Sequence, residues 1–183
     1  MDPVTRIPLA GLAAGLAALT GTAAQAAAQG EIGATSSGSI AISLSVAPRV
    51  RIGGLSDVSF VQVSPEDDAI SAQNVCIWSN TATRGYSVTA SGSGPGNAFT
   101  LASGALATRY GVAWNGAAGR ASGARLDPGA PLAGQASSAL TPDCGASGGA
   151  SASLIVSIGT DDLQAAQPEA SYLGTLNLLI APE

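Results

Sequence analysis

Between residues 39 and 46 the chain reads Ser-Ile-Ala-Ile-Ser-Leu-Ser-Val, so Ile40, Ile42, Leu44 and Val46 alternate strictly with small or polar residues. A period of two puts one apolar face on an extended chain and none on a helix, so this stretch is predicted to be a β-strand. The same period returns repeatedly, and each return is punctuated by Gly, Ser, Pro or Asn. Strands are predicted over residues 49–52, 57–63, 74–79, 85–91, 98–101, 109–114 and 152–158. Tyr110, Val112 and Trp114 share one face of the sixth of these, and Leu154, Val156 and Ile158 one face of the last. A single helical turn is predicted over 161–166. A final strand over 172–180 carries Tyr172, Leu176, Leu178 and Ile180. Residues 115–151 hold mostly Gly, Ala, Ser and Pro, with only Leu126, Leu132 and Leu140 to bury, and are predicted to be irregular surface connection.

Composition agrees with short strands and many turns. Of 183 residues, 24 are Gly and 10 are Pro, and only 10% are charged. Many short strands in a row predict an all-β fold, an immunoglobulin-like β-sandwich.

Ahead of the first strand, residues 7–19 form an apolar Ala/Leu/Gly run behind Arg6, and Ala24-Gln25-Ala26 is the small-x-small pattern that signal peptidase reads. Residues 1–26 are therefore expected to be a signal peptide. The run over 7–28 is just long enough to span a bilayer, but Ala and Gly contribute little apolar drive, and Thr20, Thr22 and Gln25 dilute it. The expected organisation is a leader over 1–26, an N-terminal extension carrying a strand over 27–47, and one sandwich domain over 48–183. The chain is expected to be exported. In such a chain, two cysteines and no others, Cys76 and Cys144, predict one disulfide. Closing a loop of that length stabilises by about 4 kcal/mol in the chain-entropy model.

The residue inventory argues against most catalytic chemistry. The sequence has no His and no Lys, and its seven basic residues are all Arg. A Ser-His-Asp triad, a Cys-His pair, a Cys/His zinc site, a Ser-Lys dyad and a Schiff base all lack a member. The acidic groups Glu66-Asp67-Asp68 and Asp161-Asp162 lack the spacing of a known calcium loop and are expected to be solvated turn charges. The run from Gly92 to Gly96 lacks the Lys and the helix of a phosphate-binding loop and is expected to be a hairpin turn. A net charge of −5 with scattered arginines offers no basic patch for nucleic acid. Neither an enzyme nor a cofactor is expected. Trp78, Trp114, Tyr86 and Tyr110 fall where strands would bury them, so packing is expected to use them. A platform for a surface glycan, in a secreted carbohydrate-binding or adhesive module, is the alternative.

Two stretches carry a resemblance. Residues 38–46 near the N-terminus and Tyr172-Leu173-Gly174-Thr175-Leu176-Asn177-Leu178-Leu179-Ile180 at the C-terminus resemble the two ends of spore coat protein U domain proteins, which include subunits of archaic chaperone–usher pili. The Tyr-x-Gly-Thr-Leu pattern is the more specific of the two. The resemblance implies an incomplete immunoglobulin-like domain whose groove is filled by the N-terminal strand of a neighbouring subunit. Ile40, Ile42, Leu44 and Val46 would then be the donor-strand residues. It further implies delivery by a periplasmic chaperone to an outer-membrane usher, and a place in a cell-surface or extracellular fibre.

Overall fold

The computed structural model describes residues 27–183. The expected signal peptide over 1–26 lies outside the described residues. The chain divides into two units, one ending at Ser45 and the other spanning Val46–Glu183. In the first, Ala28 and Ser39 form an isolated antiparallel bridge with two backbone hydrogen bonds of 2.9 and 3.0 Å. Among the described residues no helix is long and apolar enough to cross a membrane.

The second unit is all-β, with ten strands in three antiparallel sheets and one short helix among the described residues. The strands are β1 (Val50–Gly53), β2 (Ala69–Ser79), β3 (Gly85–Gly92), β4 (Thr100–Ser103), β5 (Leu106–Arg109), β6 (Gly111–Asn115), β7 (Ala124–Arg125), β8 (Pro131–Ala136), β9 (Ala152–Ile158) and β10 (Leu176–Pro182); the helix α1 is Thr160–Ala165. A five-stranded sheet runs β1-β2-β9-β6-β7, a three-stranded sheet runs β10-β3-β8, and β4 pairs with β5 alone.

The two larger sheets enclose one core. Val75 and Ile77 of β2, Val112 and Trp114 of β6, and Leu154, Val156 and Ile158 of β9 meet Tyr86, Val88 and Ala90 of β3. Strict alternation over Tyr86, Val88 and Ala90 follows from the pleat, which turns successive side chains to opposite faces. Strand β9 breaks that rule, being buried on both faces except at Ser157. It lies between β2 and β6, and its outward Ser153 is covered by the loop after β6. The Ser153 hydroxyl donates to the Ala117 carbonyl at 2.9 Å and accepts from the Arg120 amide at 3.0 Å.

The second buried cluster lies on the other face of β2. Cys76 and Cys144 are bonded, with Cα atoms 5.8 Å apart, and pack with Ala139 and the half-buried Trp78. Residues 137–151 are tied to the same place by hydroxyls. Ser151 accepts from the Ile77 amide and donates to the Ile77 carbonyl, both at 2.8 Å, while the Ser137 hydroxyl donates to that same carbonyl.

Several boundaries differ from the sequence expectation. The strand expected over 109–114 is divided at Tyr110, whose amide donates to the Phe99 carbonyl, although Tyr110, Val112 and Trp114 are all buried as expected. Residues 115–151 are not wholly irregular. They contain β7 and β8, and β8 completes the three-stranded sheet by pairing with β3, with a register shift opposite Tyr86 and Val88. Residues 57–63 form no strand. Val58 and Phe60 do pack against the core, but among the described residues no neighbouring strand pairs with this backbone, and Gln62 takes a left-handed conformation. The run from Gly92 to Gly96 leads from β3 to β4 in a different sheet and is therefore not a hairpin turn.

Candidate functional site

No group of three or more His, Cys, Asp or Glu side chains gathers among the described residues. The acidic clusters serve local structure instead: Asp68 accepts the Thr160 amide at 2.9 Å at the start of α1, and Asp162 faces Arg109 at 3.6 Å. Of the four aromatics considered as a platform, Trp114, Tyr86 and Tyr110 are buried and only Trp78 keeps a partly open face.

What stands open is a seam between sheets. Strand β1 is the edge of the five-stranded sheet and β10 the edge of the three-stranded one; the two lie alongside each other but are not hydrogen-bonded. The core reaches the surface along this seam. Val50 and Ile52 of β1, Val58 and Phe60 beyond it, and Leu176, Leu178 and Ile180 of β10 all pack on the core while remaining only half-buried. The intervening Asn177 and Leu179 are exposed, so β10 keeps the expected alternation.

The backbone of β10 gives the seam its chemistry. The Glu183 amide donates to the Gly85 carbonyl at 3.1 Å, and β10 and β3 run in unbroken antiparallel register back to Leu176 opposite Gly92. In an antiparallel ladder, hydrogen-bonded and non-hydrogen-bonded pairs alternate. Ala181, Leu179 and Asn177 therefore bond to β3, whereas Ile180, Leu178 and Leu176 turn amide and carbonyl toward the free edge. Pro182, which has no amide to donate, also falls on the outward set, as a proline in an edge strand must. The same three residues thus offer apolar side chains inward and, outward, backbone groups that no strand among the described residues pairs.

At its far end the seam opens into a cavity of about 950 Å³ lined by Val58, Phe60, Leu101, Leu163, Tyr172 and Leu173 among others. Tyr172 does not belong to the final strand as the sequence pattern suggests. That strand begins at Leu176, because Leu173 is diverted into a bridge with Ala102, with hydrogen bonds of 2.8 and 2.9 Å. The Tyr172 hydroxyl accepts the Gln167 amide at 2.9 Å instead. Gly174 allows the diversion, since a Cβ there would lie 2.8 Å from the Thr100 carbonyl oxygen.

Ile40, Ile42, Leu44 and Val46 are exposed, and of residues 39–46 only Ser39 makes a ladder contact, its bridge to Ala28. Sequence reasoning did not find Val50, Ile52, Val58 and Phe60 as a groove wall. The alternation that marked them as strand residues was their only signal. Comparison with protein-family models and with curated proteins returned no match.

Proposed function

We propose that the protein is a structural subunit of a cell-surface fibre, joined by strand addition, in which residues 39–46 of one copy enter the seam between β1 and β10 of the next. The observation that carries this reading is the edge of β10, where Leu176, Leu178 and Ile180 combine half-buried apolar side chains with outward backbone groups. Such an edge is a template for another strand, and leaving it bare invites aggregation. In strand addition, backbone bonds give affinity and alternate side chains give specificity. Ile40, Ile42, Leu44 and Val46 have the matching period and are exposed. Burying them would contribute about 1.5–3 kcal/mol each, roughly 6–12 kcal/mol before the entropy of ordering is subtracted.

In this reading the domain is an incomplete immunoglobulin-like sandwich, as in the spore coat protein U domain and archaic pilus subunits that its ends resemble. A periplasmic chaperone would cover the seam in transit and an outer-membrane usher would exchange it for the neighbour's strand. Copies of the chain or related subunits are the partners at the cell surface. Ile42→Asp or Leu44→Asp would place an unpaired carboxylate in the seam. Both variants are expected to abolish polymers on native gels and in electron micrographs, while the body still folds when a donor peptide supplies the strand. Fibres of normal length from Leu44→Asp would overturn strand addition and leave a self-contained adhesive module.

A further inference from the structure

A chain that carries both a free edge and a strand to fill it has two options: fill its own seam, or fill another's. Resting on the strand-addition reading, the structure assigns this choice to Asn80. We propose that Asn80 is a directional clamp, holding residues 47–49 straight so that the strand over 39–46 is delivered to a second copy and cannot fold back into the chain's own seam.

Asn80 makes three hydrogen bonds to this segment. Its amide donates to the Arg49 carbonyl at 3.1 Å, its side-chain Oδ1 accepts the Arg49 amide at 2.6 Å, and its Nδ2 donates to the Ala47 carbonyl at 3.0 Å. The register of β1 against β2 pairs Val50 with Ser79, so Arg49 opposite Asn80 extends that ladder by one step. Pro48 fixes its own φ near −65° and biases Ala47 to extended backbone. Residues 47–49 therefore continue the line of β1.

Folding back would require a reversal within those same residues. The start of β1 and the end of β10 lie at one end of the molecule: Val50 pairs with Ser79, the Ser79 hydroxyl donates to the Gly85 carbonyl at 3.0 Å, and that carbonyl accepts the Glu183 amide. Thus β1 runs away from this end and β10 runs toward it. A strand preceding β1 reaches the seam only by turning back on itself just before Val50, and Asn80 occupies the groups that would have to turn. A reversal further upstream would consume Val46 and Leu44, half of the apolar set.

The test uses the exported chain and a fluorescent peptide of residues 38–47. The unaltered chain, diluted to monomers, is expected to bind the peptide and to polymerise when concentrated. Asn80→Ala is expected to yield folded monomers that bind the peptide at least tenfold more weakly and do not polymerise, because their own strand fills the seam. Inserting Gly-Ser-Gly-Ser between Val46 and Ala47 with Asn80 intact should do the same, and both flanking residues are exposed, so this variant leaves the packing untouched if Asn80→Ala fails to fold. Peptide uptake and polymerisation at the unaltered level in the insertion variant, or in a folded Asn80→Ala, would overturn the clamp. So would unaltered monomers that refuse the peptide. A peptide carrying Leu44→Asp separates the two ideas: if it binds the unaltered chain as well as the original does, strand addition itself is wrong, and if it does not bind, only the clamp is at stake.

Discussion

The indole N–H of Trp114 donates to the Tyr86 hydroxyl at 3.1 Å, with the two rings edge to face and their centroids 6.4 Å apart. Trp114 belongs to the five-stranded sheet and Tyr86 to the three-stranded one, so this bond crosses the core and fixes one sheet against the other. Both side chains are fully buried, where a polar atom needs a hydrogen-bond partner.

Tyr86→Phe would leave the indole N–H buried and unpaired, and it is expected to cost about 1–3 kcal/mol. Urea unfolding followed by tryptophan fluorescence measures this. An unchanged midpoint would show that the two sheets hold their spacing without the bond.

Tyr110→Phe should behave in the opposite way. The Tyr110 hydroxyl is buried without a hydrogen-bond partner among the described residues, so its removal is expected to be neutral or to stabilise by about 1 kcal/mol. The contrast between two tyrosines in one core controls for the loss of a hydroxyl as such.

The same burial predicts alkaline sensitivity. Burial raises the pKa of both Tyr86 and Tyr110, with the Trp114 hydrogen bond partly offsetting the effect at Tyr86. Because the folded-state pKa lies above the unfolded value, the associated stability is fully present below the ordinary tyrosine range near 10 and is lost as pH rises through the folded values. Denaturant midpoints are expected to fall above about pH 10, and Tyr110→Phe should reduce that fall.

Cys76→Ser or Cys144→Ser is expected to lower stability by about 2–4 kcal/mol and to loosen residues 137–151, which the bond anchors over β2. Thiol titration of the folded, oxidised protein should find no free thiol in the unaltered chain. Hydrogen exchange would place the loss at the Ile77, Ala139 and Ser151 amides before it reaches β3.

If the chain is exported as proposed, its mature form is expected to begin between Ala27 and Gly30, after the Ala24-Gln25-Ala26 pattern. N-terminal sequencing of protein from the cell surface checks this, and retention of Met1 would contradict it.

Strands that line the core were legible because burial of one face writes a period of two into the sequence, as at Tyr86, Val88 and Ala90 or Leu154, Val156 and Ile158. The disulfide was legible from parity alone. Strand β8 was not, because only Leu132 among its residues has apolar bulk; its pairing depends on β3 and on Gly134, whose left-handed backbone accompanies the register shift. Residues 57–63 misled in the other direction, since Val58 and Phe60 alternate like a strand and pack on the core without any neighbour to bond. The seam escaped notice because it is a relation between β1 and β10, more than 120 residues apart, and no local pattern records which edge lies beside which.

Pro182 has one more consequence. On the outward set of β10, the three residues before it each offer an amide and a carbonyl, while Pro182 offers a carbonyl alone. The zone in which another backbone can both give and receive a bond therefore ends at Ile180, however long the incoming segment is. Each junction between copies would be a seam of constant length, and its strength could be tuned only by the apolar side chains pressed into it, not by adding further rungs.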